Sequence, residues 1–196
     1  MDYELARLAG RGDLLAQFAR RAREAGMEVH QAEGAGPVGA IVARIIRRIE
    51  ARRVLIDRDG VPARSELLAA LMQSPAEVLV CPVGEAEVFA ADAGITGVQW
   101  AIAETGSVVL RSGAGRCRLT SLAPPVHVAI LTEGQILPDL LDWAVQVRSG
   151  PHGLVWAYEV LVTGPSKTSD IELNPVVGVH GPEMVHVVVI RSDESD

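Results

Sequence analysis

Arg53-Val-Leu-Ile-Asp57 is a compact apolar run closed by charge at both ends. Strands buried on both faces of a parallel sheet read this way, because neither side of the pleat meets water. The flanking pattern agrees. Upstream, Val38, Ile41, Val42, Ile45, Ile46 and Ile49 recur at helical spacing over residues 38–51. Downstream, a helix near 64–72 leads to a second apolar run, Glu77-Val-Leu-Val-Cys81, and a helix near 84–92 leads to a strand over Val98–Ala103. Strands alternating with helices predict an α/β fold built on a mostly parallel sheet.

The remaining segments extend this pattern. Leu5, Leu8, Leu15 and Phe18 predict an amphipathic helix over 4–25, with arginines near its end and Gly26 closing it. Met27–Gln31 is a short strand candidate. Ser107–Arg111 reads as a hairpin partner across Glu104-Thr-Gly106, and Val126–Leu131 as a buried strand. Residues 138–148 are expected to be helical, with Leu140, Leu141 and Val145 facing inward. Val155–Thr163 and Val185–Ile190 close the series of strands, and the tail 191–196 is expected to fray.

Composition limits the functions available. The 196 residues suffice for one substantial core, and 48% hydrophobic content marks a globular chain. A net charge of −7 argues against nucleic-acid binding, which requires a basic surface. No apolar run is long enough to cross a bilayer, and the amino terminus lacks a signal-peptide pattern, so a soluble cytoplasmic protein is expected. Cys81 and Cys117 stand apart from any metal-ligand pattern and read as free thiols. Two cysteines do not suffice for an iron–sulfur cluster, which takes about four thiolates. No metal site is predicted.

Four loops merit chemical attention. Gly34-Ala-Gly36-Pro-Val-Gly39 matches the GxGxxG pattern, but the strand before it, Glu28-Val-His-Gln-Ala-Glu33, is too polar for the central strand of a dinucleotide fold. A glycine-rich entry to a helix is the favoured reading. Ala103-Glu-Thr-Gly106 places a carboxylate at a tight turn. Glu104 there is either a nucleophile or general base, or a solvated turn acid.

Thr163-Gly-Pro-Ser-Lys-Thr-Ser-Asp-Ile-Glu172 follows a strand and is expected to open a short helix. Ser169 and Glu172 have capping-box spacing. Lys167 is the one lysine beside 17 arginines, so a compact ammonium suits this position. Hydroxyls, free amides and one cation at a helix start favour a carboxylate or phosphate. Gly178-Val-His-Gly-Pro182 places His180, a candidate proton carrier or anion ligand, between glycines. His127, inside an apolar strand, reads as a satisfied core histidine, and His30, His152 and His186 are assigned no role. If the loops meet at one edge, Glu104, Lys167, Asp170 and His180 converge.

The run Gly94-Ile-Thr-Gly-Val-Gln-Trp-Ala-Ile-Ala-Glu-Thr-Gly-Ser-Val-Val-Leu110 resembles the signature of the LUD domain, found in the lactate utilization protein C (LutC/YkgG) family. Pro124–Ile130, Gly164–Glu172 and Gly178–Pro182 resemble further blocks in the same order. The resemblance covers about residues 53–190. It implies a LUD domain over 53–196, with an N-terminal helical region over 1–52 packed on it in a single globular unit. It also implies a three-layer α/β/α sandwich like the NagB/RpiA/CoA-transferase group. The implied role is oxidation of L-lactate to pyruvate beside iron–sulfur partner subunits, with no cofactor in this chain and a small anionic ligand. The alternatives are an autonomous CoA-transferase-like or sugar-phosphate-isomerase-like enzyme, and a scaffold that binds only a partner protein. Glu104 and His180 are the candidate catalytic residues. Thr105, Gly106, Gly164, Pro165, Ser166, Lys167, Thr168, Asp170, Glu172, Gly178 and Gly181 are the candidate ligand-binding residues.

Overall fold

A computed structural model describes residues 13–149, 158–169, 175–177 and 181–191. Its main sheet has six strands: β1 (Glu28–Glu33), β2 (Arg53–Asp57), β3 (Glu77–Cys81), β4 (Ala93–Gly97), β7 (Val126–Thr132) and β12 (Met184–Arg191). They lie in the order β1-β12-β7-β4-β2-β3, and every pairing is parallel. As the run 53–57 predicts, β2 is buried on both faces. Val54 and Ile56 enter one apolar cluster, and Leu55 enters a smaller one with Cys81, Val88 and Ala91.

One face is covered by α2 (Val38–Arg48) and α3 (Arg64–Leu71). Val38, Val42, Ile45, Ile46, Leu67 and Leu71 pack there on Val54, Ile95, Val128 and Val188. A side chain on Gly39 would overlap the Glu66 backbone carbonyl, so this glycine lets the two helices approach closely. The opposite face carries α1 (Leu14–Glu24) and α4 (Glu85–Phe89). There they share the cover with a second sheet of β8 (Ile136–Leu137), β5 (Trp100–Ile102), β6 (Ser107–Ser112) and β9 (Tyr158–Val162), in that order. Phe18 and Ala22 of α1 meet Val108, Leu131 and Val187 in this second core. The result is the expected α/β architecture, a mostly parallel sheet with helices on both faces.

Several expectations are corrected or refined. α1 begins at Leu14, and the part of the expected 4–25 helix before residue 13 lies outside the described residues. Its Asp13 side chain caps the start by accepting from Ala16 N at 2.9 Å. The strand expected over 98–103 is the shorter β5, in the small sheet, and the main-sheet strand β4 lies just ahead of it, where no strand was expected. Leu140, Leu141 and Val145 do not face inward. They are 39%, 51% and 46% exposed on α5 (Leu140–Ser149). That helix sits at the rim of the small sheet, where Trp143 rather than the leucines turns inward and donates to Glu159 at 2.8 Å.

The segment after Pro165 is extended, and the helix expected from the Ser169–Glu172 spacing falls on residues 170–174, outside the described residues. Lys167–Ser169 is a strand, β10, paired antiparallel with β11 (Pro175–Val177). The GxGxxG loop follows β1, which among the described strands is an edge bonded to β12 alone, and this removes the central-strand setting that a dinucleotide site requires.

Candidate functional site

Two of the candidate loops meet at the carboxyl end of α1. Gly106 takes a left-handed backbone (φ +71°), and a side chain there would overlap the backbone of Arg21 and Ala22. Gly164 is also left-handed (φ +96°), and a side chain there would overlap the Ala25 carbonyl. Both positions need glycine, because L-residues avoid these angles and the helix end leaves no room. Hydroxyls join the two loops. Thr105 Oγ1 lies 2.7 Å from Ser107 Oγ, which lies 2.7 Å from Thr163 Oγ1.

The third loop approaches from the other side. Ser166 N donates to Pro182 O at 2.9 Å, and Gly181 packs on the Ser166 side chain. Between these segments and the small sheet lies a groove of about 280 Å³. Its polar lining comes from Arg118, Ser121, Thr163, Ser166 and the backbone of Gly164 and Gly181, and its apolar lining includes Leu110, Leu122 and Val160. Arg118 lies on a 3-10 turn, Arg118–Ser121, with its guanidinium 4.8 Å from the centre of the Tyr158 ring. Arg118 carries no sequence motif, and sequence reasoning missed it.

The two charged candidates have separate neighbours. Lys167 Nζ points to the last carbonyls of α1, 3.5 Å from Ala25 O, where a cation complements the negative end of the helix dipole. Glu104 is exposed at the hairpin tip, with Oε2 3.5 Å from Leu140 N at the start of α5. Pro165 packs against Gly26. Thr168 contributes its backbone to β10. Asp170, Glu172, Gly178 and His180 lie outside the described residues.

A further polar group sits at the carboxyl end of β2. Asp57 is 4% exposed. It accepts from Thr120 Oγ1 at 2.8 Å and Cys117 N at 3.1 Å. Burial raises its pKa to about 6, although the hydrogen bonds from Thr120 and Cys117 and the charge of Arg116 oppose the rise. Thr120 also contacts the buried Cys81 sulfur, whose thiol burial pushes upward. Both cysteines are free thiols. His127 is fully buried against Thr96, with Nε2 2.9 Å from Thr96 Oγ1, and burial lowers its pKa to about 4. It is a neutral core residue at physiological pH, but it is not fully satisfied as expected, because its buried Nδ1 has no hydrogen-bond partner among the described residues.

Known proteins give this arrangement a context. A sequence model of the LUD domain matches residues 15–190. The chain belongs to the LUD domain family. The match begins within α1, well ahead of the motif blocks, and takes in both sheets. Lactate utilization protein C of Deinococcus radiodurans is 35% identical over 188 residues, 92% of this chain and 81% of that protein. Lactate utilization protein C of Oceanobacillus iheyensis is 32% identical, over 76% of this chain and 68% of its own length. A Geobacillus protein of the same name is 38% identical over 104 residues, a match that spans 51% of this chain and 42% of that protein. The fold of this LUD domain is similar to the crystal structure of a DUF162 family protein from Deinococcus radiodurans. The TM-score is 0.65 at 29% identity, covering 90% of this chain and 96% of that one. Among the described residues no helix is long and apolar enough to cross a membrane.

Proposed function

We propose that this LUD domain serves L-lactate utilisation as a subunit that binds a small carboxylate or phosphate in the groove beside Ser166, and acts with iron–sulfur partner proteins that carry the electrons. The observation that carries this reading is the convergence of three sequence-distant segments, 118–122, 163–166 and 181–182, on one groove with the Arg118 cation at its wall. The names of the relatives at 35% and 32% identity supply the lactate context. Arg118 is the charge that faces the anion. Its planar fork suits a carboxylate, which accepts two parallel hydrogen bonds. Ser121, Thr163 and Ser166 offer hydroxyls, and the glycines at 164 and 181 keep the walls open to a small ligand. Lys167, at the end of α1, adds positive potential beside the loop.

Binding is placed ahead of catalysis for a physical reason. Glu104, the candidate nucleophile, is exposed at a hairpin tip and faces the start of α5, so water is free to solvate it. A thermal-shift series with L-lactate, pyruvate and inorganic phosphate on the purified chain tests the binding. A ligand at about a hundredfold above its Kd raises native-state stability by about 2.7 kcal/mol. The expected result is a rise with at least one of these anions that is lost in Arg118→Ser. Absence of a shift with all of them contradicts the anion site.

A further inference from the structure

The parallel pairing of β1 with β12 brings together three side chains to which the sequence assigns no role. Glu28 and His30 are two residues apart on β1, so both point to the same face. His186 is the residue paired with Glu28 on the neighbouring strand, and it points to that face as well. His30 Nε2 lies 3.3 Å from His186 Nδ1, which lies 3.6 Å from Glu28 Oε2. One ligating atom from each of the three lies within 4.8 Å of the others.

We propose that Glu28, His30 and His186 form a binding site for one divalent transition-metal ion of the zinc class. The site lies at the amino-terminal ends of β1 and β12, on the face of the main sheet covered by α2 and opposite the face that carries the small sheet and its groove.

The spacing supports the assignment. A tetrahedral ion with bonds of about 2.0–2.1 Å holds its ligand atoms about 3.3–3.4 Å apart. The separations of 3.3 and 3.6 Å are close to that edge length before any ion is bound. The donor set of two imidazoles and one carboxylate suits zinc, cobalt or nickel better than calcium or magnesium, which take oxygen. Both imidazoles are held by backbone register rather than by flexible loops. His186 is 0% exposed, whereas Glu28 is exposed and His30 half-buried, so the site opens to solvent on the β1 side. Three protein ligands leave a fourth position for water or for a group from another molecule. Burial disfavours the charged form of both histidines, and the neutral imidazole is the form that ligates.

One neighbour works against the ion. Arg48 Nη2 lies 2.8 and 2.9 Å from the two oxygens of Glu28, and Arg44 and Arg23 add positive charge near His30. Metal uptake therefore requires Arg48 to retreat to one carboxylate oxygen, a shift open to an exposed side chain.

Titration of the full chain with Co²⁺, read by its visible absorption, tests the site. The expected result is saturation at one ion per chain with the band intensity of a tetrahedral site. Glu28→Ala and His30→Ala, both on the solvent side, should each weaken binding tenfold or more. Arg48→Ala, which frees the carboxylate, should tighten it. Circular dichroism confirms that the variants fold, and the buried His186 is left intact for that reason. No absorption change up to millimolar Co²⁺ overturns the proposal. So does unchanged affinity in both ligand variants, which would place the ion on other residues.

Discussion

Ser107 Oγ and Thr163 Oγ1 lie 2.7 Å apart, although 56 residues separate them in sequence. This contact ties the hairpin turn at Glu104–Gly106 to the loop that begins at Gly164. Ser107 is only 2% exposed, so the link is buried beneath the surface of both loops. Ser107→Ala leaves the Thr105 and Thr163 hydroxyls without their shared partner. Loss of a buried hydrogen-bonding group costs about 1–2 kcal/mol. Urea denaturation should show a drop of that size with an unchanged m-value, as expected when only the native state is altered.

Gly106 and Gly164 should tolerate substitution far less. Each combines a left-handed backbone with a close approach to the last turn of α1. Alanine pays both for the conformation and for displacing helix backbone. Gly106→Ala should destabilise by at least about 2 kcal/mol. A loss below that in thermal or urea unfolding would mean that the turn does not bear on α1.

Asp57 predicts a pH dependence with a definite sign. Its folded-state pKa of about 6 lies above the ordinary value of 3.8. Between those values the folded protein holds the proton more tightly than the unfolded chain does. Stability from this group is therefore fully present below about 3.8 and is lost as pH rises through about 6. Relative to Asp57→Asn, the wild-type chain should lose on the order of 3 kcal/mol between about pH 4 and about pH 7. Parallel stability curves for the two proteins would contradict the burial of this carboxylate.

Arg118 and Lys167 should separate on two readouts. Lys167 sits at the end of α1, so Lys167→Ala should cost about 0.3–1 kcal/mol of stability through the helix dipole. Arg118 lines the groove, so Arg118→Ser should leave stability nearly unchanged and remove the anion-induced thermal shift. Calorimetric titration with the anion that gives the largest shift checks the order, with Arg118→Ser expected to weaken binding more than Lys167→Ala.

The main sheet was legible wherever burial wrote itself into local sequence. Val54, Leu55 and Ile56 are apolar in succession because both faces of β2 are covered. β4 was not legible, because Gly94 and Gly97 remove the apolar signal from a central strand. A side chain on Gly94 would overlap the Thr120 carbonyl, so tertiary packing requires what strand propensity disfavours. The strand Lys167–Ser169 was not legible for a related reason. Capping-box spacing is a local cue, whereas the strand's partner, Pro175–Val177, is set by chain reversal.

The candidate site divides in the same way. Gly164, Ser166 and Gly181 stood out through unusual loop composition and line the groove, whereas Gly106 packs on α1 instead. Arg118 was hidden, since one arginine among 17 carries no distinguishing pattern. His30 and His186 were hidden because 156 residues separate them and only the β1–β12 register brings them together.

The central claim is a role for this LUD domain in lactate utilisation, and growth is its most direct measure. In-frame deletion of the gene in its own organism, with no second LUD gene present, should abolish or strongly slow growth on L-lactate as sole carbon source while growth on pyruvate persists. Wild-type sequence should restore growth on L-lactate, and Arg118→Ser should restore it poorly. Unimpaired growth of the deletion strain on L-lactate would contradict the account.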